Sequence, residues 1–428
     1  MFLHAGQNCV CKDVSHLAEP EHLKRKAIVS FAIEVMTAGL GFMSRALFRR
    51  RRPERLAFAF AELYSKLWDY AEHSISHEGF QLPGAIGNGP VHNINRLLLE
   101  LYGGKFASLS MNGSSGALIT LLTAVLPKLQ KDRDLILFDD MCHQSAIGGL
   151  IFGRWNAVRL KRSIDPVHKT ARPLTFDCVK KTIQTHGANR IAAILIVTPC
   201  YDGFSSPSEN RKIYALAKSL GITVIIDGAW DSVRFRRDNP TSCSLESICD
   251  IWITSPHKRG LTPSSLGCII TQCETIARLW DEAQDLGFRS SSISFVEIMI
   301  AEHRLQQVVN GDWNTAFSQA EQSAQRLRNH IPKIHPSLLI IEPKHVGAES
   351  SEPAHILIGT HKLPDLDARK WARILSSEFG LDAEKATAST LLLLCASPAH
   401  FHRIEEIKII LTKSFKIALS EIGVSNEK

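Results

Sequence analysis

From about residue 90 to residue 270, short apolar runs alternate with stretches whose apolar residues recur every three or four positions. Apolar runs separated by helix-period segments mark strands covered on both faces by crossover helices. Strands are predicted at Leu135–Phe138, Ile191–Val197, Thr223–Ile226, Ile251–Thr254 and Gly267–Thr271. A helix is predicted over Leu118–Leu126 and another over Ser208–Leu220. The second opens with a serine suited to the N-cap and with Glu209 in its first turn, carries Ile213, Leu216, Ala217 and Leu220 on one face, and stops at Gly221. After about residue 335 the order becomes strand, strand, helix, strand, helix, at Leu338–Ile341, Ile356–Gly359, Asp367–Phe379, Thr390–Cys395 and Ala399–Ile422. Ile404, Ile407, Leu411, Phe415, Ala418 and Ile422 mark one face of the last helix. The pattern therefore predicts an α/β protein. It is expected to comprise a basic helical arm over 1–58, a large domain with a mostly parallel sheet over 59–330, and a small C-terminal α+β domain over 331–428.

Composition adds boundaries to this picture. The 428 residues are 44% hydrophobic and 22% charged, which is globular and excludes disordered, fibrous and small disulfide-stapled classes. The cysteines form no C-x-x-C pair, and Cys268 and Cys395 lie in apolar runs where reduced thiols pack, so a reducing, cytoplasmic setting is expected. The net charge of +7 is local. Lys24, Arg25, Lys26, Arg45, Arg49, Arg50, Arg51, Arg52 and Arg55 stand against only Glu34 and Glu54, and the rest of the chain is balanced. Between these basic ends, Ala27–Phe48 is apolar, but Glu34 and Arg45 interrupt it. An amphipathic helix packed on the body is the leading expectation, ahead of membrane or nucleic-acid contact. The first twenty residues lack the apolar core of a secretory signal.

Four features fall at predicted strand ends or helix starts, where open α/β sheets bind ligands. Asn112-Gly113-Ser114-Ser115-Gly116 leads into a helix, so its backbone amides and hydroxyls could meet an anion. His143 follows the strand at Leu135–Phe138 and could stack on a ring or shuttle a proton. Asp227 ends the strand Thr223–Ile226 and could hold a cation or a protonated ring nitrogen. Ser255-Pro256-His257-Lys258 follows Ile251–Thr254, and a lysine there is placed to form a Schiff base. Each alone has an ordinary structural explanation, as a cap, a turn, a structural histidine or a surface lysine.

Together, the order of anion loop, histidine, aspartate and lysine resembles that of fold type I pyridoxal 5'-phosphate enzymes. Within them the chain resembles the compact, wingless form of the ornithine/lysine/arginine decarboxylase family. S-P-H-K at 255–258, D-G-A-W at 227–230, C-H-Q-S at 142–145, N-G-S-S-G at 112–116 and T-P-C-Y-D-G at 198–203 carry the resemblance. It implies that Lys258 bears the cofactor, Asp227 keeps its pyridine nitrogen protonated, His143 stacks over the ring and Ala229 packs beneath it. Gly113, Ser114, Ser115, Ser255 and His257 would hold the phosphate, and His257 would also serve catalysis. The resemblance further implies pyridoxal 5'-phosphate and no metal, a small amino-acid substrate and at least a homodimer. The sequence departs from the family at Pro83-Gly84-Ala85-Ile86, which lacks the usual histidine, and at Cys200, which stands where threonine is usual.

The expected reaction is decarboxylation at Cα of an amino acid through a Lys258 Schiff base, and the family resemblance points to a basic substrate. Enzymes that break Cα–H usually pin the substrate carboxylate with an arginine on a small-domain strand, and Thr390–Cys395 has none. Two alternatives remain. One is an enzyme that breaks Cα–H, either an α-oxoamine synthase, a family that the segment 138–150 also resembles, or an aminotransferase. The other is a non-catalytic relative that acts as a binding scaffold.

Overall fold

The computed structural model describes residues 90–230, 247–259, 266–284, 295–311, 314–395 and 403–422. The chain divides into units 1–74 and 75–428, and every described residue falls in the second. The basic arm, the apolar stretch 27–48 and the Pro83–Ile86 departure lie outside the described residues.

The large sheet is built from β1 (Phe106–Ser110), β2 (Leu135–Asp139), β3 (Asn156–Leu160), β4 (Ile191–Val197), β6 (Thr223–Asp227), β7 (Ile251–Thr254) and β8 (Gly267–Thr271). Their order is β1-β8-β7-β6-β4-β2-β3, with β7, β6, β4, β2 and β3 parallel and β8 antiparallel to both its neighbours. All seven residues of β4 are buried, because helices cover both faces of a central parallel strand. Each such Ile, Leu or Val contributes roughly 1.5–3 kcal/mol by leaving water.

The strands at 135, 191, 223, 251 and 267 stand where the apolar runs predict them. The strands β1 and β3 are not foreseen by that pattern. Both lie at sheet edges, and β3 buries only Leu160 of its five residues, so neither needs a continuous apolar run.

The helix α1 (Pro90–Tyr102) packs on the same core through Ile94, Leu97 and Leu98. After β1, α2 (Gly113–Thr120) continues through a π turn to Leu129, so the helix predicted from Leu118 starts five residues earlier. Then follow α3 (Gln144–Phe152), α4 (Phe176–His186) and α5 (Pro207–Ser219). Thr175 caps α4 by accepting the Cys178 N–H. The helix α5 begins at Pro207 with Ser206 as N-cap, two residues before the expected serine, because proline suits the first helical position. Ser208 instead turns its hydroxyl and amide to Glu349.

After α6 (Glu274–Ala283) and α7 (Phe295–Val309) comes the long α8 (Asn314–Ile334). Ala324, Leu327 and Ile331 of α8 pack against a second, smaller body. Its four-stranded antiparallel sheet runs β12-β13-β11-β9, from β9 (Leu339–Ile340), β11 (His355–Gly359), β12 (Lys385–Ala386) and β13 (Thr390–Leu394). The helices α10 (Ala368–Phe379) and α11 (Ile404–Ser420) cover one face, with Trp371 and Phe415 in contact at its centre. Asp367 caps α10 through the Arg369 N–H, and Gly380, at φ 64°, ends it. A short α9 (Pro343–Val346) precedes β10 (Ser350–Ser351), which pairs with β5 (Phe204–Ser205) and ties the two bodies together. Among the described residues, no helix is long and apolar enough to cross a membrane.

Candidate functional site

The C-terminal ends of β2, β6 and β7 bring His143, Asp227 and Lys258 to one edge of the sheet. Asp227 is the last residue of β6 and is buried, and its carboxylate accepts the Ala229 N–H at 3.1 Å. Burial pushes its pKa up, while Lys258, the Ala229 amide and His143 pull it back. Lys258 sits on a 3₁₀ turn, Pro256–Arg259, directly after β7. Its Nζ lies 3.9 Å from the centre of the Trp230 ring. Burial lowers its pKa, against the pull of Asp227 and Glu384, so its neutral, nucleophilic form is reached more easily than in water. His143 is exposed at the N-cap of α3, where its Nδ1 accepts the Ser145 N–H at 3.2 Å and meets Ser145 Oγ at 2.8 Å.

The anion turn closes the other end of this edge. Asn112 makes no side-chain cap bond, which leaves the first-turn amides of α2 to be met by something else. Gly267 of β8 lies so close that a Cβ there would stand 2.3 Å from Gly113 C and 2.4 Å from Ser114 N. Ser255 Oγ and Thr254 Oγ1 are buried without a hydrogen-bond partner. An orphaned buried hydroxyl is costly unless a ligand uses it, so Ser255 marks a place that expects an acceptor. His257 donates Nδ1–H to Leu266 O at 2.8 Å, and burial lowers its pKa.

Three elements of the site escape sequence reasoning. The first is an ion pair between Asp139, which ends β2, and Arg162, at 2.5 and 2.8 Å, both buried. Arg162 also donates to Val197 O at 2.8 Å, and Val197 N–H donates to Asp139 at 3.1 Å, so this pair locks the ends of β2 and β4 behind Asp227. The second is an aromatic group in which Trp230 meets Tyr201 and His355 edge-on, at 5.5 and 5.4 Å. Gly203, at φ 90°, makes this possible, because a Cβ there would stand 2.8 Å from the His355 ring.

The third is Glu384, which comes from the small body and accepts the Tyr201 hydroxyl at 3.3 Å. Although Glu384 is open to solvent, the atoms crowded round its carboxyl raise its pKa, and Tyr201 and Lys258 pull it back. Tyr201 itself is pushed up to about 12, by burial and by Glu384, and stays a donor. Next to Glu384, Lys385 pairs with buried Asp202 at 2.7 Å. A cavity of about 540 Å³, lined in part by Asp202, Phe204, Arg328 and Glu342, shares His355 with this wall. No motif spacing signals these contacts, since Tyr201 and Glu384 are 183 positions apart.

Arg403, the one arginine close after β13 in sequence, pairs with Glu406 at 2.9 Å. The described cysteines are all free thiols. Among the described residues, no group of three or more His, Cys, Asp or Glu is arranged to hold a metal ion.

Residues 85–258 match the family described as "Orn/Lys/Arg decarboxylase, major domain". An arginine decarboxylase of Bacillus anthracis is 24% identical over 315 residues, 72% of this chain and 60% of that protein, so the chain spans about three fifths of its relative's length. The lysine decarboxylase of Francisella novicida superposes with a TM-score of 0.62 at 15% identity, over 86% of this chain and 63% of that one. Cystalysin of Treponema denticola, which contains a pyridoxal 5'-phosphate cofactor, gives 0.59 at 12% identity, over 83% and 88%. The chain thus has the fold type I architecture of these pyridoxal phosphate enzymes, and its sequence resembles the decarboxylases among them.

Proposed function

We propose that the chain is a pyridoxal 5'-phosphate-dependent decarboxylase that acts at Cα of a basic amino acid, with Lys258 as the residue that holds the cofactor. The observation that carries this reading is the setting of Lys258, a half-buried amine against Trp230, beside buried Asp227 and within reach of Glu384. When bound, the cofactor supplies an electron sink for the charge left at Cα when a bond there breaks.

The residues of the chain fit such a group. The first-turn amides of α2, with Gly113, Ser114 and Ser115, and the unpartnered Ser255 hydroxyl make a donor set for a phosphate. His257 has Nδ1–H committed to Leu266, so its Nε2 becomes a donor only when the ring is protonated, which a neighbouring phosphate favours. Asp227 would hold a proton on the pyridine nitrogen by its charge, with Ala229 beneath the ring and His143 above it.

Reaction choice rests on the facing body. β13, the strand that Glu384 pairs with through Leu392, carries no arginine to hold a carboxylate in the ring plane. A less polar setting favours departure as neutral carbon dioxide. Glu384, hydrogen-bonded by Tyr201, offers an acceptor for a cationic substrate side chain. Ile151 and Phe152 of α3 are 67% and 72% exposed, a face suited to a second copy in a homodimer.

The test is to reconstitute the protein with pyridoxal phosphate, supply carboxyl-labelled amino acids and measure labelled carbon dioxide by mass spectrometry. Release from arginine, lysine or ornithine that vanishes in Lys258→Ala is expected. Cα–H exchange into heavy water without carbon dioxide would replace this reading with a condensing or transaminating one.

A further inference from the structure

Away from Lys258, three histidines from three segments meet where the loop after β3 touches the small body. His168 belongs to loop 161–172, His345 to α9, and His361 follows β11. The His168 ring lies 5.1 Å from that of His345 and 4.9 Å from that of His361, edge-on to the latter.

The surroundings oppose an added proton on His168 and on His361. His345 Nδ1 accepts the Glu342 N–H at 3.0 Å, which fixes that ring against α9. Nδ1 of His168 and Nδ1 of His361 are buried without partners, so a proton placed on either would be a buried unpaired donor. Three positive charges within this space would also repel one another.

The charged groups around the cluster do not cancel that penalty. On the loop, Asp165 is the one nearby carboxylate, and Arg172 holds it at 2.7 Å while the Val167 and His168 amides donate to it. On α9, Glu342 is engaged by Lys344 at 2.7 Å. Beside His361, Lys362 adds a further positive charge.

The loop bears on the active site at both ends. Arg162 is the partner of Asp139, and Thr170 donates to Asp202 at 2.6 Å. Asp202 in turn pairs with Lys385, next to Glu384.

We propose that His168 and His361, packed together against His345, form a proton-operated latch that docks loop 161–172 on the small body when both are neutral and releases it on acidification. Burial lowers the pKa of His168 and of His361; the charge of His361 acts in the same direction on His168, and that of Lys362 on His361, while Asp165 opposes both. The closed state is therefore complete above the ordinary histidine value of about 6.5. Below that value the released state binds protons first, and the latch weakens progressively until the closed state itself titrates.

The test is hydrogen–deuterium exchange of residues 163–171 in the full chain at pH 7.5 and 5.5, corrected for the intrinsic rate. At least a tenfold loss of protection is expected in the wild type, and little change in His168→Gln/His361→Gln. Equal protection at both pH values in the wild type would overturn the proposal, as would the same response in the double variant. Should that variant not fold, histidine carbon shifts followed through a pH titration of the wild type decide the matter. Titration of His168 and His361 depressed from the ordinary value supports the latch, and titration of both at the ordinary value refutes it.

Discussion

The wall that carries Lys258 draws its residues from the ends of neighbouring strands in one sheet, whereas the opposing wall takes His355 and Glu384 from a different sheet and sets them against Tyr201 and Trp230. In the first wall, position follows from chain order. Residues at or just past the C-terminal end of a buried parallel strand land at the sheet edge, so Asp227, the last residue of β6, and Lys258, on the turn after β7, converge because β6 and β7 are hydrogen-bonded neighbours. In the second wall, position follows from how the small body seats, through β5–β10 pairing and the close contact of Gly203 with His355. Under the proposed function the difference becomes a division of labour, in which the first wall would perform chemistry common to many substrates and the second would choose among them.

Four substitutions would break or sharpen that contrast. Lys258→Ala should lower carbon dioxide release by on the order of a thousandfold or more with the fold intact by circular dichroism. Asp139→Asn leaves Arg162 buried without its carboxylate and should cost about 3–5 kcal/mol in urea unfolding. Gly267→Ala forces a Cβ against the Gly113 backbone and should cost about 1–3 kcal/mol, with weaker cofactor binding by absorbance titration. Glu384→Gln should leave stability nearly unchanged and reduce kcat/KM for a basic amino acid about tenfold to a hundredfold, the scale of one hydrogen bond to a charged group. The same variant should spare a neutral isostere. If Glu384→Gln instead lowered turnover of every substrate equally, the second wall would share in the chemistry and the contrast would fail.

The same contrast governs what could be read from sequence. Central strands such as Ile191–Val197 announce themselves because both faces are buried, and the residues after them inherit their position. Edge strands do not, as Asn156–Leu160 and Phe106–Ser110 illustrate. Ser255 and His257 are legible as a motif, but the orphaned Ser255 hydroxyl is visible only in three dimensions. Glu384 and Arg162 are invisible for another reason. Lone charged residues are commonplace along a chain, and their partners Tyr201 and Asp139 lie 183 and 23 positions away. The three histidines of the latch share that property, since no spacing relates residues 168, 345 and 361.

The most direct test of the two-wall account is a competition. Wild type and Glu384→Gln, each loaded with pyridoxal phosphate, receive an equimolar pool of carboxyl-labelled arginine, lysine, ornithine and norleucine, and the labelled carbon dioxide from each is counted. The account predicts that the wild type consumes the basic amino acids first and that Glu384→Gln loses this preference while still releasing carbon dioxide. An unchanged preference in the variant, or no release from any amino acid by the wild type, would contradict it.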